Sequence, residues 1–260
     1  LDLKQNPLFE DMDTHLAMLR THYYGGIKKY HWVSMPLALH GTVILAKGQK
    51  VNVTLGEGEG EPVFTVPDLL PHLARDKQMT RKTTDAVKGE ELLILCGSIP
   101  VKDRKIKDRV KANVLEFLHK KYGIVEEDFI SAELEAVPAI RASDVGFDRS
   151  MVGGYGQDDR ICAYTSVKAM ADIRGTPERT ALVLLFDKEE IGSDGNTGAK
   201  SQFIEYVVGE LLVRELGQEF NYQYLRRCMR ASRAMSADVN GGVNPIFKAV
   251  SYTHLTLPTN

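Results

Sequence analysis

The sequence is short of cysteine, of net charge and of long apolar runs. Its 260 residues include three cysteines, Cys96, Cys162 and Cys228. An odd number at wide spacing supplies neither a disulfide framework nor a zinc knuckle, and reads as reduced thiols in a cytoplasmic protein. The formal net charge is -2, so no excess of one sign points to nucleic acid or an anionic membrane as partner. No apolar run nears the roughly 18 residues that cross a bilayer, and no secretory leader is visible. What remains is ordinary for a globular protein: 43% hydrophobic and 26% charged residues, enough for one large domain or two.

Patterning divides the chain. Residues 1 to 35 read as strands, with Gly25-Gly26 marking a turn. Residues 36 to 55 read as a hairpin turning at Lys47-Gly48, followed by an acidic loop, GEGEGEP, and a short helix or turn in DLLPHLARD. A further strand is expected in KGEELLILCGSIP, and another in DFISAELEAVPA. Between them, residues 105 to 122 predict a helix. Ile106, Val110, Val114, Leu118 and Tyr122 recur at i+4, and Gly123 stands at the expected stop. Beyond residue 146 the pattern changes. A helix is expected over 161 to 173, then a buried strand over the apolar run 179 to 186. Helices follow at 198 to 216 and near 218 to 232, then a short strand in RAMSAD. Alternating helix and strand predict an α/β sheet layered with helices; the region 36 to 146 is richer in β hairpins, which suggests a two-domain layout with the β-rich part as a candidate insertion.

Three acidic clusters accompany the second half: Asp158-Asp159, Glu189-Glu190 and Asp238. The last two each follow an expected strand, where α/β sheets gather functional groups. Carboxylates brought together repel and raise one another's pKa, and divalent cations relieve that repulsion. Of two adjacent glutamates, one can bind metal while the other reaches the water that the metal activates. Gly192, Gly195 and Gly198 let the backbone turn sharply nearby. Each cluster alone is a common solvated surface; the three together point to a metal site.

The segments GYGQDDRICAYTS, LLFDKEEIGSDGNTGAKS and SADVNGGVNP resemble the aspartyl aminopeptidase family of dinuclear zinc metallopeptidases, in its bacterial branch. So do YYGGIKKYHWVSMPLALHGTV, VPDLLPHLARD and EEDFISAELEAVPAIRASDVGFDRS. The resemblance covers about residues 1 to 247. It implies a peptidase domain interrupted by a β-rich dimerisation domain: 1–35 and 147–249 would be the two parts of the peptidase domain, and 36–146 the insertion. It implies two zinc ions per active site, with Asp158 bridging them, Glu190 a ligand of one and Asp238 of the other, and Glu189 the general base. The activity implied is removal of N-terminal residues, acidic or broader, from peptides. The partners implied are peptide substrates and copies of the same chain, as dimers building a dodecamer. Two histidine ligands of the family pattern fall before Leu1 and after Asn260, and none of the seven histidines here stands in either place. His15, His22, His31, His40, His72 and His119 therefore read as structural or surface residues. A histidine that some members of the family send into a neighbouring subunit's site is matched here by Asp68.

The chain begins at Leu1 without a methionine, and its last residues, 250–260, resemble a translated sequencing adapter more than the family. An internal fragment with a non-native tail, His254 included, is expected. Two alternatives stand beside the peptidase reading. One is a catalytically incomplete assembly or dimerisation module; the other is a related dinuclear metallopeptidase with another substrate preference.

Overall fold

A computed structural model describes residues 1–249. The chain divides into two compact units, one spanning Leu1–Gly153 and the other beginning at Gly154. The expected tail, 250–260, lies outside the described residues.

The first unit is built on an antiparallel sheet of β1 (Asp2–Glu10), β2 (Ala17–His22), β3 (Leu37–Ile44), β4 (Lys50–Leu55), β5 (Leu93–Gly97) and β6 (Ala132–Pro138). The strand order is β4-β3-β6-β1-β2-β5. β3 and β4 form the hairpin expected at 36 to 55, with Val43 opposite Val51 and Gly48 at φ 80° in the turn. A separate hairpin joins β7 (Ser143–Val145) and β8 (Met151–Gly153). Residues 1–35 lie in the same compact unit as 36–146.

Two helices accompany this sheet, the four-residue α1 (Pro71–Ala74) and α2 (Arg109–Tyr122). Helix α2 lays the expected stripe on the sheet: Val110 is buried, and Val114, Leu118 and Tyr122 pack against the core made by Leu8, Leu19, Val43, Ile94 and Leu134. Gly123 ends the helix at φ 74° in the left-handed region, where a Cβ is disfavoured. The helix starts four residues later than expected, so Ile106 falls outside it. Asp108 gives α2 no side-chain cap. Glu10 of β1 supplies one instead: its Oε2 accepts from the backbone N–H groups of Val110 at 2.8 Å and Lys111 at 3.1 Å. A carboxylate there satisfies orphan donors and meets the positive end of the helix.

Asp128 is the buried acid of this unit, 5% exposed. Its Oδ2 accepts from Val125 N–H at 2.9 Å and its Oδ1 from Ala46 N–H at 3.0 Å, which ties the turn before β6 to the β3–β4 hairpin. Asp128→Ala would leave both donors without this acceptor. The expected loss is about 1–3 kcal/mol, read as a lower urea midpoint at unchanged slope. An unchanged midpoint would show that the two bonds contribute nothing.

The second unit holds α3 (Gln157–Ala171), α4 (Phe203–Leu216) and α5 (Tyr222–Ala231). Val208 and Leu225 are its buried apolar side chains on α4 and α5. The helices agree with the sequence; the strands do not. Residues 179 to 186 form no strand, and Leu182, Leu185 and Phe186 are exposed. RAMSAD is likewise irregular, with Met235 exposed. An apolar run becomes a strand only where a neighbour supplies the ladder of hydrogen bonds, and the second unit has no strand among its described residues. The mixed α/β class nevertheless holds for the chain, with its strands in the first unit. Among the described residues no helix is long and apolar enough to cross a membrane.

Candidate metal centre

The chain enters α3 through Gly156, at φ 72°, where the left-handed turn suits glycine. Asp158 and Asp159 follow, both away from helical geometry and joined by a cis peptide bond. Regular helix begins after them. The two carboxylates therefore stand at the mouth of α3 instead of along one of its faces. Asp238 arrives from the irregular segment after α5. One carboxylate oxygen from each of Asp158, Asp159 and Asp238 lies within 4.8 Å of the others, and all three residues are exposed.

Three such oxygens offer a hard, anionic donor set that fits a divalent cation. Zinc accepts carboxylate oxygen too, though its protein sites usually add nitrogen or sulfur. Cys162, on the first turns of α3, lies beside the set. Its thiol bonds to Asp159, and that bond, with partial desolvation and the negative charges of Asp159, Asp238 and Asp158, pushes its pKa up.

Asp158 and Asp238 are thus brought together, as a shared metal would require. Glu189 and Glu190 are not in that carboxylate group among the described residues. They open a short 3-10 turn, Glu189–Ile191, bracketed by Lys188 at φ 64° and Gly192 at φ 85°. The surrounding loop is closed by its own bonds. Ser193 N–H donates to Lys188 O at 2.8 Å, and Asp187 N–H to Thr197 O at 3.1 Å. The Lys200 ammonium pairs with Asp194 at 3.0 Å. At Gly198 a Cβ would sit 2.1 Å from Ser193 O, so a glycine is required there. Gly192 and Gly195 both adopt positive φ. Glu189 and Glu190 are therefore presented together on a loop whose shape three glycines permit. Asp159 and Cys162 were not assigned roles from the sequence. For Asp159 the adjacent pair itself was the signal, and Cys162 follows it at i+3.

The sequence profile of the aminopeptidase I zinc metalloprotease (M18) family matches residues 1–257. The chain belongs to this M18 family. The match runs into the segment expected to be a non-native tail. A probable M18 family aminopeptidase 1 from Clostridium acetobutylicum is 51% identical over 250 residues, which cover 96% of this chain and 52% of the relative. The crystal structure of an M18 aminopeptidase from Thermotoga maritima superposes with a TM-score of 0.83 at 46% identity, covering 95% of this chain and 53% of that one. The yeast mApe1 dodecamer shares the fold at a TM-score of 0.63 and 22% identity, covering 96% of this chain and 54% of that one. This M18 chain spans about half the length of the curated relatives it matches.

Proposed function

We propose that this chain carries the acidic half of the zinc site of an aminopeptidase, and that the longer protein removes N-terminal residues, acidic ones or a broader set, from peptides. The observation that supports this most is the convergence of Asp158, Asp159 and Asp238 in a member of a zinc metalloprotease family. In this reading Asp158 would be the carboxylate shared by the zinc site, and Glu190 and Asp238 would each supply a further ligand. When bound, zinc would supply the Lewis acidity that polarises a scissile carbonyl and acidifies a water. Glu189 takes a proton from the attacking water and returns it to the leaving amine. Asp159, bonded to the Cys162 thiol, braces the cluster beside Asp158. Residues 36–146 are the inserted dimerisation domain of the longer protein, which assembles from dimers in the cytoplasm. The dodecamer of yeast mApe1, a protein of the same fold, supports that assembly.

This chain alone supplies three carboxylates to one group and no histidine to it among the described residues. Weak zinc binding and negligible peptidase activity are therefore expected of it. Isothermal titration should show zinc uptake that falls at least about tenfold, or 1.4 kcal/mol, in Asp158→Asn. Equal uptake by both proteins would remove Asp158 from the site. Chelator-sensitive hydrolysis of an aspartyl chromogenic substrate by this chain would show that its own carboxylates suffice for catalysis.

A second reading is favoured by the first unit's own core around the six-stranded sheet: a self-contained assembly module with no catalysis. Dimers at micromolar concentration without zinc uptake would support it over the peptidase reading.

A further inference from the structure

Asn240 is followed by Gly241, the one Asn-Gly pair in the sequence. Both residues are exposed, in an irregular segment between α5 and the end of the described chain. The Gly241 N–H donates to Asn240 Oδ1 at 2.8 Å. That contact folds the side-chain amide over the next backbone nitrogen. The amide carbon is then one C=O bond, about 1.23 Å, from the oxygen already touching that N–H. Gly241 is exposed, and nothing lies within 4 Å of the Cβ that a larger residue would carry there, so neighbouring atoms do not crowd the residue on that side.

The same side-chain-to-next-nitrogen contact occurs at Asp187–Lys188, 2.8 Å, and Asp238–Val239, 2.6 Å. Neither can react in the same way. Each presents a carboxylate, which is a poor electrophile, to a residue whose Cβ crowds the nitrogen. Asn244 precedes a proline, whose nitrogen carries no proton to lose. Asn52 sits in β4, held by the strand ladder. Asn240 alone combines an amide, a glycine successor, the folded-over geometry and an irregular exposed backbone. Asparagine is already among the thermolabile residues.

We propose that Asn240–Gly241 is a site of spontaneous succinimide formation, converting Asn240 to aspartate or isoaspartate two residues beyond Asp238. Solvent hydroxide takes the proton of Gly241 N. The nitrogen attacks Asn240 Cγ and an N–Cγ bond forms; the water made from the hydroxide returns a proton to Nδ2, the Cγ–Nδ2 bond breaks and ammonia leaves. Water then opens the ring. Attack at Cγ restores the backbone with an aspartate, and attack at the backbone carbonyl leaves the chain running through the side chain as isoaspartate. No redox partner is needed. Aspartate adds a negative charge, and isoaspartate adds an atom to the main chain, close in sequence to a carboxylate of the acidic cluster. The chemistry itself requires no metal and does not depend on the peptidase reading.

The test is to age the whole chain at mildly alkaline pH and follow the tryptic peptide spanning residues 234 to 248 by mass spectrometry, with enzymatic methylation to report isoaspartate. Amide loss at Asn240 should exceed that at Asn196 by at least about tenfold, with isoaspartate the larger product. Gly241→Ala should slow it about tenfold by crowding the nitrogen and restricting the backbone. The proposal is overturned if Asn240 keeps its amide as long as Asn196 does, or if Gly241→Ala reacts at the parent rate.

Discussion

In the longer protein, Glu189→Gln is expected to lower kcat by about 100- to 10,000-fold with zinc content unchanged. Glutamine keeps the shape and hydrogen-bonding reach of glutamate but cannot accept the water proton. The expectation follows from the roles proposed for the adjacent pair. Glu189 opens the short turn on the 187–200 loop, and Glu190, next to it, is the proposed ligand. Glu190→Gln should therefore behave differently, with loss of one zinc as well as of activity. The checks are steady-state kinetics on an aspartyl chromogenic substrate and metal content by mass spectrometry. Unchanged turnover in Glu189→Gln would remove Glu189 as the base, and unchanged metal content in Glu190→Gln would remove Glu190 as a ligand.

Gly41→Ala is expected to destabilise the first unit by about 3 kcal/mol or more. Gly41 lies in β3, opposite Leu134 of β6 and Val53 of β4, at φ 142°. A Cβ there would fall 1.9 Å from Glu133 O and 2.9 Å from the Leu134 Cα. Both are backbone atoms inside the sheet, so relief requires the strands to part. Gly48→Ala is the control. Gly48 also has positive φ, 80°, but nothing lies within 4 Å of its missing Cβ, so the expected effect is the conformational strain of one residue, about 1–2 kcal/mol. Urea denaturation followed by far-ultraviolet circular dichroism separates the two. Equal midpoints for both variants would show that close approach at Gly41 is not limiting.

Local elements were the legible part of the sequence. The i+4 stripe and Gly123 predicted α2 because a helix writes its buried face and its stop into neighbouring residues. The β3–β4 hairpin was legible for the same reason. The glycines of the 187–200 loop were read as turning residues, and Gly192 and Gly195 adopt positive φ. What failed depended on partners. The run 179–186 has the composition of a strand, but composition does not supply a neighbour. The cap that Glu10 gives α2 joins residues a hundred positions apart, and no local pattern records it. At the candidate site, types and order pointed to the three acidic clusters. Only the structure shows which of them meet: Asp158 and Asp159 with Asp238, Cys162 beside them, and the two glutamates on a separate loop.

The strand order has a consequence for synthesis. β6 lies between β3 and β1, yet it is the last of the six strands to leave the ribosome. The β1–β2 and β3–β4 hairpins can each form as they emerge, but they share no edge until residue 138 is available. During that interval both β1 and β3 present open edges, which invite pairing with other nascent chains. Helix α2 rests on β5, β1 and β2, and its cap comes from β1. The sheet therefore closes in one late, non-local step. Such topologies fold on the slower, millisecond-to-second side of small domains.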